Sequence, residues 1–501
     1  MSLGARSLNA VFWGAGGTVL RMALQIGAQI ILARLLGPQQ YGVFAIGATV
    51  ISFSVFFSDI GLAYGLIQKA EVSPRDVRFV FTWQVILGAL VTLVIYNGAG
   101  PISSFFGEPR AEKVVRVLSG LCFLNALAAP SLNLLKRQIN FKRIQISQLV
   151  SYVLGYIMFG IPMALAGHQV WALVAAWIVQ AAANLILLYM ATTHPIKPLI
   201  WYEHARSQSG YGGAVLITNL VNWVVSNIDR VVVGRVFGSR DIGLYATSYN
   251  LFYSPTAAVL GVIQPVFFSA SSRMVDEPAK ITRGYCALLG FVSWFVLPAA
   301  LGVAIFIDPI IAILYGDSWR AAASLCRPIV LAMPLFMVWG FSTPLLWTSG
   351  AIAREFQILL PLAVAWCAVC LLAATYSVQA VAWSMFGFSF LRCVVVVITV
   401  FKVTELSRSQ LWAAVAGGLL NASIVASVCL IADYCLPMVG DASKLTIGIL
   451  SALATWSIFP RIARIEMPIM LAESMRRALR KLPRGLKRLL FLVIPLGALH
   501  D

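Results

Sequence analysis

Long apolar segments separated by short polar breaks run through the whole chain. A helix that crosses a bilayer needs about 20 mostly apolar residues, and windows of that length predict fourteen spans. They cover residues 9–33, 41–66, 79–99, 114–135, 145–166, 170–192, 211–234, 242–268, 285–314, 324–349, 356–376, 378–401, 411–434 and 444–463. Glycine, proline and charged residues mark the breaks, for example in LLGPQQ and GEPRAEK. The pattern predicts an all-α polytopic membrane protein with about 14 transmembrane helices.

The composition excludes an ordinary water-soluble protein. Of the 501 residues, 60% are hydrophobic and only 11% are charged, whereas an average soluble domain carries roughly 25% charged residues. The few charges are strongly biased, with 37 Lys and Arg against 19 Asp and Glu, a net charge of +18. In so apolar a chain, a basic excess indicates cytoplasmic loops and contact with membrane lipids. Nucleic acid is not an expected partner.

The distribution of basic residues predicts the orientation in the membrane. With the N-terminus in the cytoplasm, 25 of the 37 Lys and Arg residues fall on the cytoplasmic side and 10 on the opposite side. Both termini are therefore expected to be cytoplasmic. The basic, amphipathic tail at residues 465–501 has two interpretations: an interfacial helix on an anionic leaflet, or an anchor for the last membrane helix.

A short motif occurs twice. Residues 33–46 read ARLLGPQQYGVFAI and residues 234–247 read GRVFGSRDIGLYAT, an offset of 201. Six spans lie between equivalent points, so the copies have the same orientation, as in the parallel repeats of alternating-access transporters; chance similarity of two glycine-containing turns is the alternative. The repeat predicts two six-helix lobes related by a pseudo-two-fold axis, plus two further helices. The expected domains are an N-lobe at 1–200, a C-lobe at 201–403, helices 13 and 14 at 404–464, and a cytoplasmic tail at 465–501.

Polar residues recur every fourth position in two spans that the same offset relates. A spacing of four places them on one helix face. They are Arg21, Gln25 and Gln29 in the first span, and Asn222, Ser226 and Arg230 in the seventh. Polar groups at membrane depth face a bundle interior or water. We therefore expect the stripes to face each other across a cavity between the lobes; alternatively, each arginine pairs locally and locks helices together.

Three further ionisable residues lie within predicted spans. Asp59 and Asp229 are candidates for a coupling-ion site for H⁺ or Na⁺, or else are counter-ions of arginines. Arg392 lies in the middle of its span. Arginine binds phosphate oxygens through its planar fork, so Arg21, Arg230 and Arg392 suit an anionic substrate such as a phosphate-bearing lipid.

Motifs of common enzyme chemistry are not found in the sequence. There is no G-x-x-x-x-G-K-[ST] and no H-E-x-x-H, and the four histidines are scattered. Cys367 and Cys370 form a C-x-x-C inside an apolar run, where small apolar residues are the simpler interpretation. We expect no catalytic residue, no metal site, no cofactor and no enzymatic activity.

Several segments together resemble the Wzx-type oligosaccharide flippases of the polysaccharide-transporter family. This family belongs to the superfamily of multidrug extruders and the lipid II flippase. The similar segments are ILARLLGPQQYGVFAI (31–46), SDIGLAYGLIQ (58–68), NIDRVVVGRVFGSRDIGLYATSYNL (227–251), QPVFFSASSRM (264–274) and IIAILYGDSW (310–319).

The resemblance implies a specific function. It implies two lobes around a cavity and translocation of undecaprenyl-pyrophosphate-linked oligosaccharide across the bacterial inner membrane, for exopolysaccharide or lipopolysaccharide synthesis. Ion antiport would power it, and a polysaccharide polymerase and a chain-length protein are candidate partners. The family's cationic cavity maps onto Arg21, Arg230 and Arg392. Two alternatives remain: a multidrug extruder, disfavoured by the abundance of intramembrane arginine, and a membrane enzyme of polysaccharide assembly, disfavoured by the short loops.

Overall fold

The computed structural model consists of helices joined by short connections in the part of the chain that it describes. The described residues are 3–59, 62–63, 66, 72–203, 212–274, 276–349, 352–404, 406–436 and 440–462. Within these ranges the regular structure is helical, and none of it is β-strand. The predicted tail at 465–501 lies outside the described residues.

Fourteen helical segments follow one another along the described ranges. The first six are α1 (Leu3–Asp59), α2 (Pro74–Phe106), α3 (Arg110–Arg137), α4 (Phe141–Leu165), α5 (Val170–Ala191) and α6 (Gly212–Phe237). The others are α7 (Ser239–Ser272), α8 (Pro278–Ile305), α9 (Ile307–Tyr315), α10 (Ala322–Thr348), α11 (Ile352–Ala374), α12 (Val378–Val403), α13 (Arg408–Cys435) and α14 (Asp441–Ile462). Twelve helices in this part of the chain are long and apolar enough to cross a membrane. The predicted fold class is confirmed, while the division into four domains stays a prediction.

Helix α1 contains the predicted span 9–33 and most of the predicted span 41–66, joined by a sharp kink. Gly37 has φ 72° and ψ 171°, outside the helical region, and positive φ is readily adopted only by glycine. Pro38 follows and has no N–H to continue the helical hydrogen-bond ladder. The equivalent break 201 residues later separates α6 from α7, where Gly238 has φ 84°.

Two of the prolines within the predicted spans follow stretches of π-helix. In α4 the stretch is Val153–Gly160, just before Pro162, and in α8 it is Val292–Val296, just before Pro298. A proline ring clashes with the carbonyl four residues earlier, and the wider π turn relieves that clash. Other prolines of the predicted spans lie inside helices, among them Pro255 and Pro265 in α7 and Pro328, Pro334 and Pro344 in α10.

The chain divides into two compact units. Unit 1 comprises Met1–Thr247 and Leu359–Val381, and unit 2 comprises Ser248–Ile358 and Ala382–Asp501. In unit 1, buried side chains from α1, α4 and α5 form one core cluster, which contains Leu32, Ala164, Ala172 and Leu173. In unit 2, a cluster centred on Phe306, Val425 and Cys429 packs α13 against partly buried residues of α14.

Within unit 1 the two copies of the repeated motif contact each other. A β-carbon on Gly42 would lie 1.5 Å from the carbonyl oxygen of Ser239, and one on Gly243 would lie 2.0 Å from that of Pro38. Ser239 follows Pro38 by 201 residues, as Gly243 follows Gly42, so the contact is reciprocal. Only glycine allows the two backbones to approach this closely. We call these four residues the glycine crossing.

Candidate functional site

The polar stripe of α1 forms hydrogen bonds to other helices of unit 1. The Arg21 guanidinium donates to the side-chain oxygen of Gln148 in α4, and the Gln29 amide donates to the carbonyl oxygen of Thr247 in α7 at 3.4 Å. Gln25, between them, is half-buried. These bonds are of the kind that the helix-locking interpretation requires. The cavity role of the stripe stays a prediction.

The second predicted stripe lies on α6, also in unit 1. Asn222 and Ser226 are exposed, whereas Arg230 is half-buried. The Arg230 guanidinium donates to the side-chain oxygen of Asn227 at 2.8 Å. The arginine of this stripe therefore has a polar partner on its own helix. The substrate role of Asn222, Ser226 and Arg230 stays a prediction.

Trp223 packs α6 against α1. The Trp223 indole N–H donates to the Ser52 hydroxyl at 2.9 Å, and its ring lies 4.8 Å from that of Phe53, centroid to centroid. This contact fastens α6 to the second half of α1. Asn222 and Ser226 remain exposed beside this contact.

Asp229 is almost completely buried, with 3% of its surface exposed. One carboxylate oxygen accepts from the Tyr245 hydroxyl at 2.8 Å, and the other accepts from the backbone N–H of Arg230 at 2.9 Å. In the described ranges, no group of three or more His, Cys, Asp or Glu residues could hold a metal ion. Asp59 ends α1, and its side chain lies outside the described residues. A coupling-ion role for either aspartate stays a prediction.

Arg392 belongs to unit 2 and lies in an aromatic environment. Only 9% of its surface is exposed. Its guanidinium carbon lies 4.0 Å from the centre of the Trp339 ring and 5.9 Å from that of Phe336. Tyr253 stacks on Tyr249 at 5.0 Å and meets Phe336 edge-on at 5.4 Å. A cation over an aromatic face is stabilised by the ring quadrupole.

Glu355, which directly precedes the predicted span 356–376, belongs to the same region of unit 2. Its carboxylate accepts a hydrogen bond from the Trp347 indole N–H at 2.5 Å and another from the Thr343 hydroxyl at 3.1 Å. It also interacts electrostatically with Arg392. It lies two residues before the span that begins at Gln357. Burial raises its pKa above the ordinary value, against the opposing effect of the two hydrogen bonds and Arg392.

Unit 2 also contains an apolar cavity of about 230 Å³. Side chains of α8, α13 and α14 line it, among them Phe295, Pro298, Val425 and Trp456. The Trp456 indole N–H does not face this space as a free donor, because it donates to the carbonyl oxygen of Trp294 at 2.6 Å. The cavity therefore offers apolar contacts, the kind that a lipid chain makes.

Known proteins with similar sequences act in polysaccharide synthesis. Residues 31–324 match the family described as "Polysaccharide biosynthesis protein". The succinoglycan biosynthesis transport protein ExoT of Rhizobium meliloti (strain 1021) is 23% identical over 292 residues, 58% of this chain and 59% of that protein. The lipopolysaccharide biosynthesis protein WzxC of Escherichia coli (strain K12) is 20% identical over 327 residues, 64% and 65% of the two chains. The chain thus spans about three fifths of the first relative's length and just under two thirds of the second's.

Solved structures of transporters have a similar fold. The lipid II flippase MurJ, in an inward closed conformation, matches with a TM-score of 0.72 and 14% identity, over 89% of this chain and 98% of that chain. An inward-facing multidrug resistance MATE family transporter of the MOP superfamily matches with a TM-score of 0.54 and 12% identity, over 85% and 95% of the two chains. At these identities the likeness concerns the fold alone.

The family match covers more than half of the chain, and twelve described helices are long and apolar enough to cross a membrane. The resemblance found in the sequence is therefore confirmed. This multi-pass membrane protein, with the fold of MurJ and the MATE transporters, belongs to the polysaccharide biosynthesis protein family.

Proposed function

We propose that this protein is a flippase for undecaprenyl-pyrophosphate-linked oligosaccharide in the bacterial inner membrane. The family match over residues 31–324 is the main observation that supports this proposal, and the transporter fold is consistent with it. The substrate would move from the cytoplasmic to the outer leaflet by alternating access, with both termini in the cytoplasm. A polysaccharide polymerase and a chain-length protein would act on the exported unit.

The charges within the membrane helices support an anionic substrate. Arg21, Arg230 and Arg392 are candidates to contact the pyrophosphate, because a guanidinium offers paired donors to phosphate oxygens. Gln25, Gln29, Asn222 and Ser226 would add polar contacts. The apolar cavity of unit 2 suits part of the polyprenyl chain. We further propose that H⁺ or Na⁺ flux drives the cycle, with Asp59 and Asp229 as candidate ion sites.

Deletion of the gene, followed by extraction of the lipids, tests this proposal. We expect completed lipid-linked repeat units to accumulate, and wild-type protein to clear them. Incomplete units would instead point to an enzyme of assembly, and normal lipids with increased drug retention would point to a multidrug extruder.

Complementation with single variants tests the arginine assignment. We expect Arg21→Ala, Arg230→Ala and Arg392→Ala to restore little export at normal protein levels, and the Lys variants to restore part of it. Wild-type export by all three alanine variants would contradict the assignment.

A further inference from the structure

Arg392 is a buried cation whose polar contacts are incomplete. It is nine-tenths buried, and its Nε has no hydrogen-bond partner among the described residues. Stacking on Trp339 stabilises the charge only in part. A buried charge is ordinarily compensated by an opposite charge or by hydrogen bonds, so the surroundings of Arg392 need an anion.

One face of α10 connects Arg392 to an anion within the protein. Trp339, Thr343 and Trp347 recur every four residues and therefore share a helix face. Trp339 stacks on Arg392 at one end of this face, and at the other end Thr343 and Trp347 donate to Glu355. Glu355 and Arg392 interact electrostatically.

We propose that Glu355 is a proton-binding site whose carboxylate competes with an anionic ligand for the positive charge of Arg392. This inference rests on the proposed function, which supplies a phosphate or pyrophosphate ester as the ligand. When the ligand is absent, the Glu355 carboxylate balances Arg392. When an anion binds at Arg392, it repels that carboxylate, which then takes a proton from solution and becomes a neutral acid.

The surrounding groups are compatible with this exchange. The neutral acid can still accept from Trp347, and its own O–H can donate to the Thr343 hydroxyl oxygen. Tyr249 and Tyr253 of α7 also interact electrostatically with Arg392. Burial raises the pKa of Glu355, which brings its protonation closer to neutral pH. A bound anion raises the pKa of Glu355 further, so acid pH favours anion binding.

Calorimetric titration of the purified protein with methanedisulfonate tests the inference. This dianion resembles pyrophosphate and does not itself titrate between pH 5 and 8. We expect the wild type to bind it about tenfold more tightly at pH 5.5 than at pH 8, which corresponds to one pKa unit of coupling. Heats measured in two buffers of different ionisation enthalpy should show proton uptake on binding.

Two variants and one control give the decisive comparison. Glu355→Gln should bind at both pH values with the wild type's pH 5.5 affinity and take up no proton. The control Glu277→Gln, which changes an exposed carboxylate paired with Lys280, should keep the wild-type pH dependence. Arg392→Gln should bind weakly at both values. Proton uptake by Glu355→Gln, unchanged binding by Arg392→Gln, or wild-type binding that is absent or independent of pH would each overturn the inference.

Milder variants cover the case in which Glu355→Gln does not fold. Thr343→Val and Trp347→Phe each remove a hydrogen bond to the carboxylate, so the midpoint of the pH dependence should move to higher pH. An unmoved midpoint in both would count against Glu355. The lipid analysis separates this inference from the proposed function, because a protein that clears lipid-linked repeat units but binds the dianion independently of pH fails here alone.

Discussion

The glycine crossing makes a quantitative prediction about packing between the two motif copies. Gly243→Ala adds a β-carbon 2.0 Å from the Pro38 carbonyl oxygen and 2.8 Å from the Gly42 nitrogen. Ordinary contacts begin near 3.4 Å, so one backbone must move by about 1.4 Å. Neither opposing atom belongs to a flexible side chain that could rotate away. We therefore expect α7 and the second half of α1 to separate locally.

Two opposing effects determine how much Gly243→Ala changes the free energy of unfolding. Overpacking a close contact costs about 1–3 kcal/mol, and a clash with backbone lies at the upper end of that range. Alanine in place of glycine in a helix gains about 1 kcal/mol. Gly243→Ala should thus lower the free energy of unfolding by about 2 kcal/mol. Gly261→Ala, on the same helix, is the matched control, because nothing lies within 4 Å of its added β-carbon, and it should gain about 1 kcal/mol.

Thermal unfolding in a single detergent measures the difference. Gly243→Ala should unfold several degrees below the wild type, and Gly261→Ala at or above it. Gly42→Ala should behave like Gly243→Ala, with Gly27→Ala on α1 as its own control in open space. The double variant at 42 and 243 should lose less than the sum of the singles, since both act on one crossing. Equal unfolding temperatures for Gly243→Ala and Gly261→Ala would refute the reasoning.

Three smaller perturbations test other contacts. A hydrogen bond from the Arg110 side chain lowers the pKa of Glu108 to about 2. The pair should therefore stabilise the fold by about 1 kcal/mol after solvent screening, fully above pH 4.5 and progressively less toward pH 2. Glu108→Gln should abolish that component of the pH dependence of thermal unfolding. Trp223→Phe leaves the Ser52 hydroxyl without its indole donor and should cost about 1 kcal/mol, whereas unchanged unfolding would contradict this contact. Ser73→Ala removes the N-cap and capping box of α2 and should cost about 1 kcal/mol in the same assay.

Much of the fold could be predicted because membrane helices are a local property of sequence. In a bilayer each span satisfies its own backbone hydrogen bonds, so an apolar window of sufficient length predicts a helix without knowledge of its neighbours. The repeat with offset 201 was equally accessible. The sequence did not predict that α1 continues through Gly37, because a glycine–proline pair is compatible with either a kink or a loop.

The contacts of the candidate site were largely hidden from the sequence. The spacing of Arg21 and Arg230 predicted that each lies on a polar helix face. It did not predict their hydrogen bonds to Gln148 and Asn227. Glu355 was overlooked because it lies just before a span, in a connection where acidic residues are usually solvated. The four-residue spacing of Trp339, Thr343 and Trp347 was the available signal, and it acquires meaning only beside Glu355 and Arg392.

The sequence by itself determined that this chain is a helical membrane protein with an internal repeat, and indicated the family to which it belongs. Hydrophobic length and motif recurrence are properties of residues close together in the chain. Only the tertiary structure decided that the two motif copies meet at glycines, and that a carboxylate and a buried arginine lie along one face of α10. Those arrangements join segments far apart in sequence, and helix packing determines which faces meet.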